Sequence, residues 1–540
     1  MTERSGSYPP PNPRTAYSDG DLTGRDRITR NVLASWGGEA VFVLAGFIVP
    51  RLIDQRIDRE ALGIWDFAWS VVAYFTLIQA GAVSSTNRYV AKFRAAGDVE
   101  GVNRVVSSIT CVFVVGAGII MALSVAAMFA VPALLDNQLA GYSNDAAWVV
   151  LLLGMGVALQ IAFSGFGGVI TGCHRWDLHY GIQAGSFTLA TVGMVVVLLV
   201  GGGLPSLALM NLGEVAGGRV VRYVVAYRLC PGLSVRVRHA RWSTACDMLK
   251  FGGKTLLLTA GDLLLNQAVN ILIFVQLGPA ALAVFARPRA LVRHVRTFVR
   301  KFTYVLVPTA SSLHVIGHKE ELRRLLVQGT RYAAYIALPL LVGLAVLGDG
   351  ILHVWMGPDY ADGLLMAILA LGFLVPVAQE PAISIMVGLN AHGWPSLVNL
   401  VAAVIAIGLT ALALGPLEWG LVGAAAAVTI PLTLANGIYL PICAARRLGM
   451  RVRDYVSEAV SGPIFCAGVF ALCLVGCRIS CAARPLAMIV SGSIVGGITL
   501  VVLYWKCALR HRHRRVITDA VRVVWARFGG RHRLAKDPPA

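Results

Sequence analysis

Ala286-Arg-Pro-Arg-Ala-Leu-Val-Arg-His-Val-Arg-Thr-Phe-Val-Arg300 is the stretch whose reading decides how the chain is organised. Arg289, Arg293, Arg296 and Arg300 are spaced four, three and four apart. At 100° per residue, a helix holds these side chains within roughly 60° of one another. Leu291, Val292, Val295, Phe298 and Val299 cover much of the remaining circumference. Within a bilayer, an arginine at mid-depth costs about 2.5–3.5 kcal/mol on insertion scales, so such a row must face water, an anion or a carboxylate. The rival placement is a basic amphipathic helix on the cytoplasmic surface. It would remove one crossing, put the basic C-terminus outside and reverse every later loop.

The flanking sequence favours the crossing. The 540-residue chain is 57% hydrophobic and 14% charged, with a mean hydropathy of +0.70. A soluble chain of this length would form three or four domains, whereas this composition is that of a polytopic helical membrane protein. Apolar runs of about 20 residues without period-two alternation argue against a transmembrane β-barrel. Candidate spans are 31–53, 64–86, 105–131, 146–171, 180–200, 204–228, 250–276, 279–303, 330–356, 363–389, 394–415, 418–444, 457–478 and 484–509. The expected fold is all-α, with about fourteen transmembrane helices.

Lys and Arg set the orientation. The even-numbered connections hold Arg88, Lys92, Arg94 and Arg104, then Arg236, Arg238, Arg241 and Lys250, then Lys319, Arg323 and Arg324, then Arg446, Arg447, Arg451 and Arg453. Both tails are basic as well, and the odd-numbered connections are short and mostly bare. Both termini are therefore expected in the cytoplasm.

An internal repeat appears at an offset of 220 residues: Gly97-Asp-Val-Glu-Gly-Val-Asn-Arg-Val-Val106 lines up with Gly317-His-Lys-Glu-Glu-Leu-Arg-Arg-Leu-Leu326. Each copy follows the second helix of a six-helix set. Two such lobes relate by a pseudo-two-fold axis along the membrane normal, a layout that places binding between them. The shift carries the arginine row onto Trp69, Ala73, Thr76 and Ala80, a face without charge. The expected organisation is a disordered cytoplasmic tail (1–28), an N-lobe (29–230), a basic cytoplasmic linker (231–249), a C-lobe (250–447), two further helices (448–510) and a basic amphipathic cytoplasmic tail (511–540). That last segment presents Ile517, Val521, Val524, Trp525 and Phe528 on one face and suits anionic lipid headgroups. A solvated tail is the bland alternative.

Other polar groups fall inside candidate spans. Thr255, Thr259, Asp262, Asn266 and Asn270 share one helix face, and the short turn near Gly278-Pro279 brings Asp262 to the depth of Arg289 or Arg293. An ion pair there would lower the insertion cost and still leave a cationic surplus. Glu39, Glu214, Arg219, Arg222 and Glu380 are further intramembrane charges, with Pro376 and Pro381 interrupting the helix that bears Glu380. Asp262, Asn266, Glu380, Arg222 and Arg88 form the candidate set of lumen-polar or coupling residues, each set against simple pairing or packing. Cys466, Cys473, Cys477 and Cys481 share a stripe with no histidine or carboxylate among them and read as small apolar core residues. No metal, cofactor or nucleic-acid partner is expected. The chain has no Walker A motif, no dinucleotide fingerprint, no His-Glu-x-x-His pattern and no large outer loop for a catalytic domain.

Several stretches carry a family resemblance: Gly63-Ile-Trp-Asp66, Leu77-Ile-Gln-Ala-Gly-Ala-Val-Ser-Ser85, Asn87-Arg-Tyr-Val-Ala91, Val307-Pro-Thr-Ala-Ser-Ser312, Glu321-Leu-Arg-Arg324, Trp355-Met-Gly-Pro-Asp-Tyr360 and Gly388-Leu-Asn-Ala-His-Gly393. Over most of residues 30–450 the chain resembles the multidrug/oligosaccharidyl-lipid/polysaccharide exporter superfamily, in its oligosaccharide flippase (Wzx-type) branch. That resemblance implies two six-helix bundles, two extra helices and alternating access. It also implies a polyprenyl-diphosphate-linked glycan carried across the bacterial inner membrane, with polysaccharide polymerase or glycosyltransferases as partners. The arginine row is the expected diphosphate contact, because a planar guanidinium binds phosphate oxygens bidentately and stays charged. A cation-coupled drug or metabolite antiporter would instead have an acidic or aromatic cavity. A non-transporting scaffold for glycan assembly would tolerate charge reversal in the span 279–303 but not loss of its tails.

Overall fold

A computed structural model describes residues 28–79, 82–481 and 484–508. The expected N-terminal tail and the basic C-terminal tail lie outside the described residues. Twenty α-helices follow in order, with no strand among the described residues. They are α1 (Ile28–Arg56), α2 (Arg59–Ala73), α3 (Ala82–Ala95), α4 (Val99–Leu135), α5 (Ser143–Ala162), α6 (Ser164–Gly172) and α7 (Trp176–Leu199). Next come α8 (Leu204–Leu229), α9 (Trp242–Leu277), α10 (Pro279–Tyr304), α11 (Leu306–Val315), α12 (Lys319–Met356), α13 (Gly363–Gly372) and α14 (Leu374–Ala378). The last are α15 (Glu380–Gly388), α16 (Gly393–Leu414), α17 (Gly420–Leu434), α18 (Leu440–Arg447), α19 (Val452–Ser480) and α20 (Pro485–Leu503).

Among the described residues, twelve stretches are long and apolar enough to cross a membrane. The expected count was fourteen, and the difference has a specific cause. The spans expected at 204–228 and 279–303 are α8 and α10, each a continuous helix of 26 residues. At about 1.5 Å per residue each is ~39 Å long, more than a hydrocarbon core of about 30 Å requires. Their charge, not their length, sets them apart from the twelve.

The repeat reaches beyond the segment that revealed it. Helices start at Arg59 and Pro279, at Val99 and Lys319, and at Ser143 and Gly363, each pair 220 residues apart. The turn before each long helix is also built alike. Asp98 N–H donates to Phe93 O at 2.9 Å and His318 N–H to Leu313 O at 3.0 Å, while Gly97 and Gly317 take φ of +69° and +76°. These are the bonds of a glycine-closed helix end, which needs a residue without Cβ in the left-handed region. The helices that follow run 37 and 38 residues.

Contacts divide the chain into two compact units, one comprising Met1–Ala286 with Ser396–Val428, the other Arg287–Pro395 with Thr429–Ala540. In the first, α4 packs on α5, α1 on α7, and α9 on α2 and α3. Phe67 and Phe274 stack at 4.0 Å in its core, and Gly154 admits the Ser124 hydroxyl into the α4–α5 crossing, where a Cβ would lie 2.0 Å from it. The expected linker is tied down locally. Asn103 donates to Gly232 O at 3.0 Å and accepts from Ser234 N–H at 2.7 Å, and Ser108 accepts from Arg241 N–H at 2.8 Å. In the second unit, α12 packs against α19 and α13, and α19 against α20. Its core joins Leu326, Ile385, Met386, Leu440 and Tyr455.

Candidate functional site

Gly278 and Pro279 begin the arginine helix. Gly278, at φ +86°, closes α9 through a bond from its N–H to Phe274 O at 2.9 Å. Pro279 then opens α10, where a missing N–H costs nothing in the first turn. The helix runs unbroken to Tyr304 through Pro288, so the four arginines share a face as their spacing requires. Arg289 is 8% exposed, whereas Arg293 and Arg300 are exposed and Arg296 is intermediate. Leu291, Val292 and Val299 pack inward. Arg287 is also buried, at 4% exposure. Sequence reasoning passed over it because it lies about 200° from Arg289 around the helix.

The partner of the row is Glu380. Its Oε1 accepts from Arg296 Nε at 2.8 Å and from Arg300 Nη2 at 3.3 Å, and the residue is 3% exposed. Glu380 occupies this place because its span is broken. The expected single helix at 363–389 is three pieces, with breaks at Phe373 and Gln379. Pro376 and Pro381 lack the N–H groups that would continue the ladder. Glu380 therefore opens α15, where the helix dipole favours a carboxylate. A buried chain of hydrogen bonds backs it. Gln379 Oε1 accepts from the Tyr455 hydroxyl at 2.9 Å, and that hydroxyl lies 2.9 Å from Thr330 Oγ1. Ser384 donates to Thr303 at 3.3 Å, a second tie between α15 and α10.

One carboxylate set against two guanidinium groups leaves this trio with a formal charge of +1. The structure thus brings Arg296, Arg300 and Glu380 together in the second unit, which also holds Arg289 and Arg293. The remaining candidates belong to the first unit. On α9, Asn266 donates to Asp262 O at 2.5 Å and Asn270 donates to Ser70 Oγ at 3.0 Å. Arg222 is buried on α8, and Arg88 is exposed on α3. His179 and Gln160, near Arg219 and Arg222, drew no attention in the sequence because they sit on other helices with no motif around them.

The comparisons agree with this architecture. Residues 99–364 match a family model described as "Polysaccharide biosynthesis protein". The chain is 23% identical over 440 residues to the uncharacterized membrane protein EpsK of Bacillus subtilis (strain 168), covering 80% of this chain and 86% of that one. Among solved structures it is similar to an inward-facing multidrug resistance MATE family transporter of the MOP superfamily. That match has a TM-score of 0.65 at 14% identity over 76% of this chain and 95% of that one. It is similar also to the lipid II flippase MurJ in an inward closed conformation, with a TM-score of 0.62 at 12% identity over 88% and 100% of the two chains. At these identities the solved structures speak to the fold, which is all-helical, polytopic and of the MATE and MurJ kind. The family model thus matches the middle of the chain, and the solved structures share its fold.

Proposed function

We propose that the protein is a flippase that carries a polyprenyl-diphosphate-linked oligosaccharide across the bacterial inner membrane for surface polysaccharide synthesis. Six-helix lobes at 29–230 and 250–447 would rock about a central cavity, with both termini in the cytoplasm. The observation that carries the reading is four arginines on one face of α10, two of them held by the buried Glu380. A diphosphate offers that face oxygens for bidentate contacts, and the polyprenyl tail remains in lipid. The family-level match to polysaccharide biosynthesis proteins supports a glycan as the cargo. Asp262, Asn266, Arg222 and Arg88 are proposed as polar lumen groups in the same cycle.

The reading is tested by replacing Arg289 and Arg293 with alanine or lysine and following surface glycan display, with membrane insertion checked by immunoblot. Alanine is expected to abolish display. Lysine keeps the charge and loses the fork, so partial display is expected. Undiminished display in every inserted variant would sink the arginine face as a substrate contact.

A further inference from the structure

The other helix that charge separates from the apolar spans, α8, carries cations of its own inside the first unit. Arg222 is 5% exposed, and its Nε has no hydrogen-bond partner among the described residues. Arg219 reaches Gln160 of α5 through Nη2 at 3.3 Å, while its Nε is likewise unpartnered. His179, in the first turn of α7, stands within electrostatic reach of both guanidinium groups and has an unpartnered Nδ1. Glu214 acts on both arginines only from a distance, with no direct ion pair to either among the described residues. The aromatic ring of Phe166 on α6 meets Tyr223, the neighbour of Arg222 in sequence, edge-on at 5.0 Å. Groups from α5, α7 and α8 thus gather around the buried Arg222 and the half-buried Arg219, which this unit does not neutralise by contact. Burying a charged group without a partner is costly, so the arrangement calls for an anion.

We propose that Arg219, Arg222 and His179 form a binding site for a phosphate-type oxyanion within the first unit, separate from the α10 face. Two planar donor forks and an imidazole suit several oxygens of one tetrahedral group. Arg222 lies two turns from the Leu229 end of α8, about 10 Å along the axis, and His179 lies in the first turn of α7. The site therefore sits towards one end of the unit, within reach of a ligand arriving from the aqueous side or of a lipid headgroup. Glu214 limits affinity by competing for the same cations.

The test uses the purified full-length chain in neutral detergent, with inorganic pyrophosphate as the probe and calorimetry as the readout. Arg219→Gln/Arg222→Gln is expected to weaken one class of site at least about tenfold, the loss of hydrogen bonds to a charged group. Arg296→Gln/Arg300→Gln is expected to leave that class intact. An unchanged isotherm in the first variant overturns the proposal, as does loss of all binding in the second. That second result would assign the probe to α10 and leave the transport reading standing. Should the first variant not assemble, Glu214→Gln decides: removal of the competing carboxylate should tighten binding several-fold, and unchanged or weaker binding overturns the site. Repeating the titration in nanodiscs separates the sources. Weaker pyrophosphate binding in phosphatidylglycerol than in phosphatidylcholine identifies a lipid headgroup as the resident anion, and equal binding identifies a soluble one.

Discussion

Helices α2 and α10 occupy the same place in the repeat, begun at Arg59 and Pro279, yet only the second is a cationic helix. Where α10 carries Arg289, Arg293 and Arg296, α2 and the turn after it carry Trp69, Ala73 and Thr76. The copy without the arginine row forms its helix and buries Leu62, Ile64, Trp65, Phe67 and Ala68 well. The position therefore does not require arginine to fold. In α10 the charge is an added burden, and Glu380 relieves part of it. On the proposed reading, the features shared by the two copies carry the fold and the unshared ones carry the task.

The sharpest way to break the comparison is to remove from the second copy the two arginines that hold Glu380. Arg296→Thr/Arg300→Ala restores the residues found 220 positions earlier and strands Glu380 in a buried site. Uncompensated burial of one partner costs about 3–5 kcal/mol. The lower end of that range applies here, because Arg300 is 47% exposed and its share of the pair is screened. Thermal unfolding in detergent should show this loss, and adding Glu380→Gln should recover most of it. Glycan display should stay absent in the recovered triple variant. Display restored by Glu380→Gln would mean that the arginines serve only to neutralise the carboxylate.

The repeat was readable because its signal is local. Gly97 and Gly317 announce left-handed helix ends, and polar residues after them announce long helices, so one aligned segment foretold a geometry that recurs at three pairs of helix starts. The break near Glu380 was readable from Pro376 and Pro381 for the same reason. What the sequence left open were choices of partner. Arg296 and Glu380 are 84 residues apart, and an isolated carboxylate in a hydrophobic run says only that it needs a cation, not which one. Tyr455 is fully buried on a helix that the repeat does not cover, and its bond to Gln379 depends on how α19 packs against α12. The packing of α9 on α2 and α3 was equally hidden. An apolar face shows that a helix is covered without naming what covers it.

Alanine at either turn glycine sharpens the shared half of the comparison. The left-handed backbone costs an L-residue about 1–2 kcal/mol. Around Gly317 nothing lies within 4 Å of an added Cβ, so conformational strain alone is at stake. Gly97→Ala and Gly317→Ala should therefore lower stability by similar amounts, with glycan display reduced only as far as protein level falls. A penalty confined to one copy would show that the two turns are alike in geometry but not in load.

The smallest expected effect concerns how each copy begins. Gly278 and Pro279 start α10 without a side-chain cap, whereas α2 starts at Asp58, whose Oδ1 accepts from Ala61 N–H at 2.7 Å. The other oxygen of Asp58 accepts a hydrogen bond from the Tyr142 hydroxyl, tying the start of α2 to the turn before α5. Partial burial and that bond to a carboxylate push the Tyr142 hydroxyl up to about 12, above the ordinary tyrosine value of about 10. A value raised by folding means that the protonated form contributes stability. The contribution is complete below about pH 10 and disappears as pH climbs through about 12. Tyr142→Phe should cost less than about 1 kcal/mol, since the pair is largely solvated. The gap between variant and parent in thermal unfolding should be flat from neutral pH to about pH 10 and should close above it. A gap that instead widened with pH would mean that the ionised hydroxyl, beside a carboxylate, is the stabilising form, which the repulsion between two anions forbids unless a cation intervenes.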